Sequence, residues 1–264
     1  MGEVNEASTD QASLRFDQYR DSGRLQARMS IYSFTVPQMD FLGWVLDHTD
    51  WPTGAVVVDV GSGSGQYLVR LGDSNGVRGV GLDLSAGMVA ETVAAAGVAG
   101  AVGDVHRLPL RTRAVDRVLA LHMLYHCADV DAAVAELRRI MRPGGVTLVV
   151  TNGDRHGHHA LIDEAAGQPL ARASSGFTIE NGEAVLRRHF DSVTLDAVER
   201  ELRVPTPEPV VRFVASMRSW YEPVLPDGLA WSRFMANIER LVGQRIERDG
   251  EYRAPTHSGV FTCG

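Results

Sequence analysis

No lysine occurs in the 264 residues, so all 26 positive side chains are arginine. Alanine, glycine and valine abound around them. The pattern reads as the codon bias of a GC-rich genome rather than a set of phosphate or carboxylate clamps, because arginine and lysine differ chemically yet drift with base composition. Positive charge is in deficit as well: 33 acids leave a formal net charge of −7. A chain whose main partner is nucleic acid needs a basic face, so that class is set aside. Cysteine is scarce, only Cys127 and Cys263, too few for a disulfide framework at this length. A reducing, cytoplasmic setting is the expectation. Long apolar runs are missing too. None approaches the roughly 18 residues of a membrane span, and residues 1–11 have neither the basic nor the apolar region of a secretory signal.

What remains is an ordinary globular balance, 44% hydrophobic and 22% charged, able to bury a core. The length suits one α/β domain over 1–264. Residues 1–13 read as a disordered lead-in. Residues 14–53 read as a broken helical cap, with Tyr19, Leu25, Met29 and Tyr32 as its apolar positions and Pro37 opening a further helix. From 54 to 152 strands and helices alternate. Strands are predicted at 55–60, 77–83, 99–104, 114–122 and 146–151, with helices after Gly65, after the Ser85 cap, and over 130–141. The first is a continuous β-branched run, as a strand buried on both faces requires. Such alternation means crossover units, hence a parallel sheet with helices on both faces. In 153–264 the pattern is looser: helices at 157–166 and 183–189, a strand at 190–202, and a helical stretch broken at Pro223 and Pro226. A short last strand follows at 259–263. The helical insertion, about 205–247, is placed over the carboxyl edge of the sheet as a lid.

Val57-Val58-Asp59-Val60-Gly61-Ser62-Gly63-Ser64-Gly65 joins the first strand to the first core helix. Glycines there let backbone approach a ligand while helix N–H groups face it. A dinucleotide fingerprint would have Gly or Ala at position 66, where this chain has Gln66. Asp59, just before the turn, would repel a pyrophosphate but suit a ligand carrying an ammonium group; capping the turn is its other reading. Asp83 ends the second strand, where a carboxylate can accept ribose hydroxyls. Asp104 ends the third, where it can accept from an exocyclic adenine amine. An adenosine with a cationic amino-acid tail fits all three acids; a dinucleotide fits one.

With these residues in view, the chain resembles the class I S-adenosylmethionine-dependent methyltransferases of the small-molecule type. The resemblance rests on the 57–65 turn, on Gly81-Leu82-Asp83-Leu84-Ser85 with Met88, and on Gly103-Asp104-Val105. Ala114-Val115-Asp116, the 121–129 segment from Leu121 and the 137–145 segment ending Pro143-Gly144-Gly145 extend it, so that it covers roughly 54–152. It implies a Rossmann-like α/β fold: a seven-stranded, mostly parallel sheet whose last strand is antiparallel. N-terminal helices and a lid before that strand would carry substrate choice. It also implies S-adenosyl-L-methionine as cofactor, held by Asp59, Gly61, Ser62, Gly63, Gly65, Asp83, Leu84, Met88, Gly103, Asp104, Val105 and Leu121. Asp116 reads as a structural residue at a strand start.

Methyl transfer is an in-line displacement that needs alignment, water exclusion and sometimes a base, but no covalent catalyst. Histidines are the candidates for that base. His122 and His126 follow the fourth strand, and His156, His158 and His159 follow the fifth. His126, His156 and His122 are therefore the candidate catalytic residues. The plainer readings are packing for His126, pocket lining for His122, and a solvated loop for the later trio. Metal binding by the histidines is not expected, because zinc sites want a fuller ligand set. Tyr19, Tyr32, Trp220 and Tyr221 either line an aromatic substrate cage or anchor helices. The expected activity is methylation of oxygen or nitrogen, less readily carbon, in a small metabolite of a specialised biosynthetic pathway. RNA or protein methyl transfer, NAD-dependent oxidoreduction and a non-catalytic cofactor-binding module are the rivals. Gln66 and Asp59 speak against the oxidoreductase. No nucleic-acid or membrane partner is expected, and oligomeric state leaves no signal.

Overall fold

A computed structural model describes residues 9–20, 22–72, 76–171 and 176–264; the first eight residues of the expected lead-in lie outside it. Its strands are β1 (Thr35–Val36), β2 (Val56–Val60), β3 (Arg78–Asp83), β4 (Ala99–Val102), β5 (Val115–Leu121), β6 (Met141–Asn152), β7 (Val193–Val204) and β8 (Tyr252–Cys263). They form one sheet in the order β1-β7-β8-β6-β5-β2-β3-β4. β2 to β6 run parallel, while β8 lies antiparallel between β6 and β7, and β1 is antiparallel to β7. The helices are α1 (Gln11–Ser13), α2 (Gly23–Ser30), α3 (Phe41–Leu46), α4 (Gln66–Leu71), α5 (Ala86–Ala96), α6 (Val130–Ile140), α7 (His159–Ala166), α8 (Ile179–Leu186), α9 (Pro207–Ala215), α10 (Arg218–Tyr221) and α11 (Trp231–Asp249).

The valines of β2 explain why it lies inside. Val58 and Val60 enter one core with Val118, Ala120, Val149 and the apolar stripe of α6, Ala133, Val134, Leu137 and Ile140. Val57 faces the other way, against Leu119, Leu121, Leu148 and Val150 of its neighbours and Leu68 and Leu71 of α4. Alternate residues thus feed two cores, and helices cover both faces. A third core joins the N-terminal segment to the later helices through Leu14, Ile31, Ile162, Val210, Trp220, Phe234, Ile238 and Tyr252. It lies beyond the carboxyl ends of the parallel strands, because Leu202 and Val204 of β7 and Ala254 of β8 reach past the point where β6 stops.

Three boundaries differ from the sequence reading, each for a local reason. The sheet has eight strands among the described residues, not seven, because Thr35 and Val36 of the cap pair with Leu202 and Glu201. The fifth predicted strand starts at Met141 rather than 146, with Pro143-Gly144-Gly145 inside it. Met141 already pairs with Val115, the chain bulges, and Val146 resumes against Arg117. The last strand spans twelve residues, since β7 pairs with all of it. Pro255 is tolerated there because β6 pairs only with Ser258–Cys263, leaving the other edge open at the proline. No helix among the described residues is long and apolar enough to cross a membrane.

Candidate active site

The turn after β2 is built by left-handed glycines. Gly61 has φ +73° and Gly65 φ +76°. A Cβ on Gly61 would lie 2.9 Å from Cβ of Met123, and one on Gly65 would lie 3.0 Å from Cα of Thr92. Neither position accepts a side chain without displacing a neighbour. The Gly61 and Ser62 N–H groups bond to the Leu82 carbonyl at 2.7 and 3.0 Å, tying the turn to the end of β3. The Ser62 hydroxyl points inward to Thr92 Oγ1 at 3.0 Å, so Ser62 presents backbone rather than side chain at the turn.

The three acids stand at the carboxyl ends of β2, β3 and β4, which are neighbours in the sheet: Asp59 is the penultimate residue of β2, Asp83 the last of β3, and Asp104 lies two residues past β4. Asp59 is buried and meets no cationic side chain among the described residues; burial first, and the nearby Asp83 charge second, push its pKa up to about 7. Asp83 accepts the Gly63 N–H at 3.0 Å and the Ser85 N–H at 2.9 Å. Its burial raises the carboxyl pKa against those bonds, and each oxygen keeps a lone pair to offer. Asp104 accepts from the backbone N–H of His106 at 3.0 Å, lies 2.7 Å from that ring's Nδ1, and accepts from Gln11 Nε2 at 2.8 Å. Although burial acts upward, these bonds hold it below the usual carboxylate range. Around the acids Leu84 is half-buried against the third core, while Met88, Val105 and Leu121 are buried walls. Gly103 donates to the Asp83 carbonyl at 2.9 Å.

The N-terminal segment crosses this edge. Gln11 reaches Asp104, the Ser22 N–H donates to Glu91 of α5 at 2.9 Å, and Leu25 of α2 stands over Gly63. Tyr19 Oη meets His126 Nε2 at 2.9 Å, and the His126 ring packs against Tyr125 and Trp220 with centroids 4.5 and 5.5 Å away. Tyr32 Oη meets His156 Nε2 at 2.9 Å, while His156 Nδ1 accepts from the His257 backbone N–H at 3.0 Å. Arg28 lies over the rings of Tyr19 and Trp220.

The structure therefore sorts the histidines. The loop after β6 is not solvated as expected, because His156 and His158 are buried. Burial pulls His156 and His158 down to about 3 and His122 down to about 4. Rings so reluctant to take a proton are weak bases at neutral pH. His126 alone of the three candidates stands among the aromatic groups between the cap and the insertion. Among the described residues no three His, Cys, Asp or Glu side chains gather as a metal-ligand set. Asp116 is structural as read: it accepts the Val56 N–H at 2.8 Å and pairs with Arg142. Sequence reasoning missed Gln11, Arg28, Tyr125 and Arg200.

A family model described as a methyltransferase domain matches residues 58–149, the stretch that holds the turn, the three acids and the parallel strands. That stretch is a methyltransferase domain. Among curated relatives, the chain is 39% identical over 101 residues to malonyl-[acyl-carrier protein] O-methyltransferase of Serratia marcescens, covering 37% of this chain and 38% of that protein. It is 36% identical over 179 residues to an uncharacterized 37.1 kDa protein in transposon TN4556 of Streptomyces fradiae, covering 63% and 48%. The chain thus spans less than half the length of these relatives. Among solved structures, the [4+2]-cyclase SpnF shares the fold at TM-score 0.59 and 16% identity, over 100% of this chain and 98% of that one.

Proposed function

We propose that the protein transfers a methyl group from S-adenosylmethionine to an oxygen or nitrogen atom of a small organic molecule in a biosynthetic step. One observation carries the reading: three carboxylates at the ends of three adjacent strands, beside a glycine turn into which no side chain fits. Their chemistry suits the cofactor. Asp59, a buried acid with no cation against it, would take the ammonium of the amino-acid tail. Asp83 would accept from the ribose hydroxyls and Asp104 from the adenine amine. A diphosphate in the same place would face three negative groups. When bound, S-adenosylmethionine supplies a methyl group on a sulfonium and leaves as S-adenosylhomocysteine.

The chain's own contribution is alignment, dryness and a path for one proton. The cap and the α9–α11 insertion enclose the ground beside the turn, which excludes water from the reacting atoms. Burial raises the pKa of Tyr19, so it keeps its proton. As the acceptor's hydroxyl or ammonium proton passes to Tyr19 Oη, Tyr19 hands its own to His126 Nε2, 2.9 Å away. The O-methyl transfer of the Serratia relative supports oxygen as acceptor atom, and the two buried free cysteines fit a reducing compartment.

Titration calorimetry with S-adenosylhomocysteine and with NAD tests the reading. The first should bind and the second should not. Asp83→Ala should weaken the first about 10- to 100-fold, the effect of losing hydrogen bonds to a charged group worth about 1.5–3 kcal/mol. Equal binding of NAD, or an unchanged affinity in the variant, overturns it.

A further inference from the structure

Arg28 is 8% exposed, and a guanidinium that deep ordinarily meets a carboxylate. Arg117 shows that arrangement in the same molecule, with Nη2 2.5 Å from Asp50. Arg28 meets none. Its Nη1 donates to Gln18 Oε1 at 3.0 Å and to the Ser216 carbonyl at 3.4 Å, both neutral, and its buried Nη2 has no partner. Aromatic rings cover the group, Tyr19 at 5.1 Å and Trp220 at 4.9 Å from centroid to Cζ. The same two rings touch His126. Beyond Tyr32, Arg200 repeats the pattern: its Nε has no partner, and its guanidinium lies over Phe41 at 5.5 Å. Among the described residues no acid pairs with either arginine.

We infer that Arg28 receives a carboxylate of the methyl acceptor, which makes the substrate a small carboxylic acid with a flat apolar body. The inference rests on the methyl-transfer reading of this site. The open Nη2 can donate to one carboxylate oxygen, and in a dry aromatic cage that charge-assisted bond is strong. A phosphate, with about two charges and three oxygens, would need more donors than the one open nitrogen supplies. Position favours the acceptor over the cofactor tail. Arg28 contacts the insertion through Trp220 and Ser216 and adjoins the His126 cluster, while only burial and Asp83 govern Asp59. Held there, the acid would present a neighbouring hydroxyl or amine towards Tyr19.

The test uses the full chain with S-adenosylhomocysteine bound. That protein is titrated with two matched pairs, benzoate with benzamide and 3-phenylpropanoate with its amide. Each acid should bind at least tenfold tighter than its amide. Arg28→Gln should bring the pair within twofold, and Arg28→Lys should restore part of the difference. An unchanged circular dichroism spectrum and melting temperature in both variants report that they are folded. Equal binding of acid and amide to the unaltered chain overturns the inference, as does an acid preference that survives Arg28→Gln. So does a variant that loses S-adenosylhomocysteine tenfold, for then the guanidinium serves the cofactor's own carboxylate. If the unaltered chain does not bind S-adenosylhomocysteine at all, the methyl-transfer reading itself falls, and that result is read before any acid is added.

Discussion

Asp59 holds its proton to about pH 7 because burial disfavours its charge and Asp83 opposes it further. A carboxyl raised in the folded state adds stability that is complete below its unfolded pKa, near 4, and fades as pH climbs through 7. Binding an ammonium reverses the preference, since the ligand needs the carboxylate. S-adenosylhomocysteine should therefore bind more tightly at pH 7.5 than at pH 5.5 and release a proton near pH 6. Calorimetry in two buffers of different ionisation enthalpy measures that release. Asp59→Asn should abolish it, and an affinity that ignores pH would remove Asp59 from the cofactor site. At this scale the sequence was informative where a residue type and its strand end coincide, as at Asp59, Asp83 and Asp104. It was silent on Gln11 and Arg28, whose partners lie 93 and 188 residues away along the chain.

Among elements, two glycines with opposite surroundings show what backbone context decides. Gly65 opens α4 in the left-handed region against Thr92, so Gly65→Ala adds strain and crowding of about 1–3 kcal/mol. Gly243 lies inside α11, where an added Cβ meets nothing within 4 Å. There alanine should gain about 0.5–1 kcal/mol by helix propensity. Scanning calorimetry should show the first variant melting about 2–12 °C lower and the second about 1–4 °C higher, at roughly 2–4 °C per kcal/mol. A Gly65→Ala protein of unchanged Tm would mean the turn has room to spare. Period and punctuation made β2, α5 and α6 readable, because one sheet face and one helix stripe imprint a repeat on the chain. β1 left no trace: two residues have no period, and their pairing depends on where β7 ends.

For the molecule as a whole, three neutral histidines, two buried and one half-buried, set its response to acid. His122, His156 and His158 are depressed to about 4, 3 and 3, chiefly by burial. Their contribution is complete above the unfolded pKa near 6.5 and is lost progressively as pH falls towards those values, opposite in sign to Asp59. Urea midpoints should therefore fall from pH 7.5 to pH 5, and His158→Asn should flatten that slope; a midpoint that rises steadily towards pH 5 would mean the rings are solvated. The division into an alternating core flanked by helical segments was legible, since composition and periodicity act over long windows. The closeness of cap and insertion was not, because Leu14 and Trp220 belong to one core through contacts that no local pattern records.

The place of β8 bears on how the chain is made. Among the described strands β7 pairs only with β8 and the two residues of β1, so it has no ladder bond to the parallel strands until β8 lies between it and β6. A nascent chain on the ribosome can assemble β2 to β6 early, but β7 joins their sheet only once synthesis has passed residue 263. Chaperone demand during that interval, and sensitivity to any stall before it ends, follow from the threading order alone.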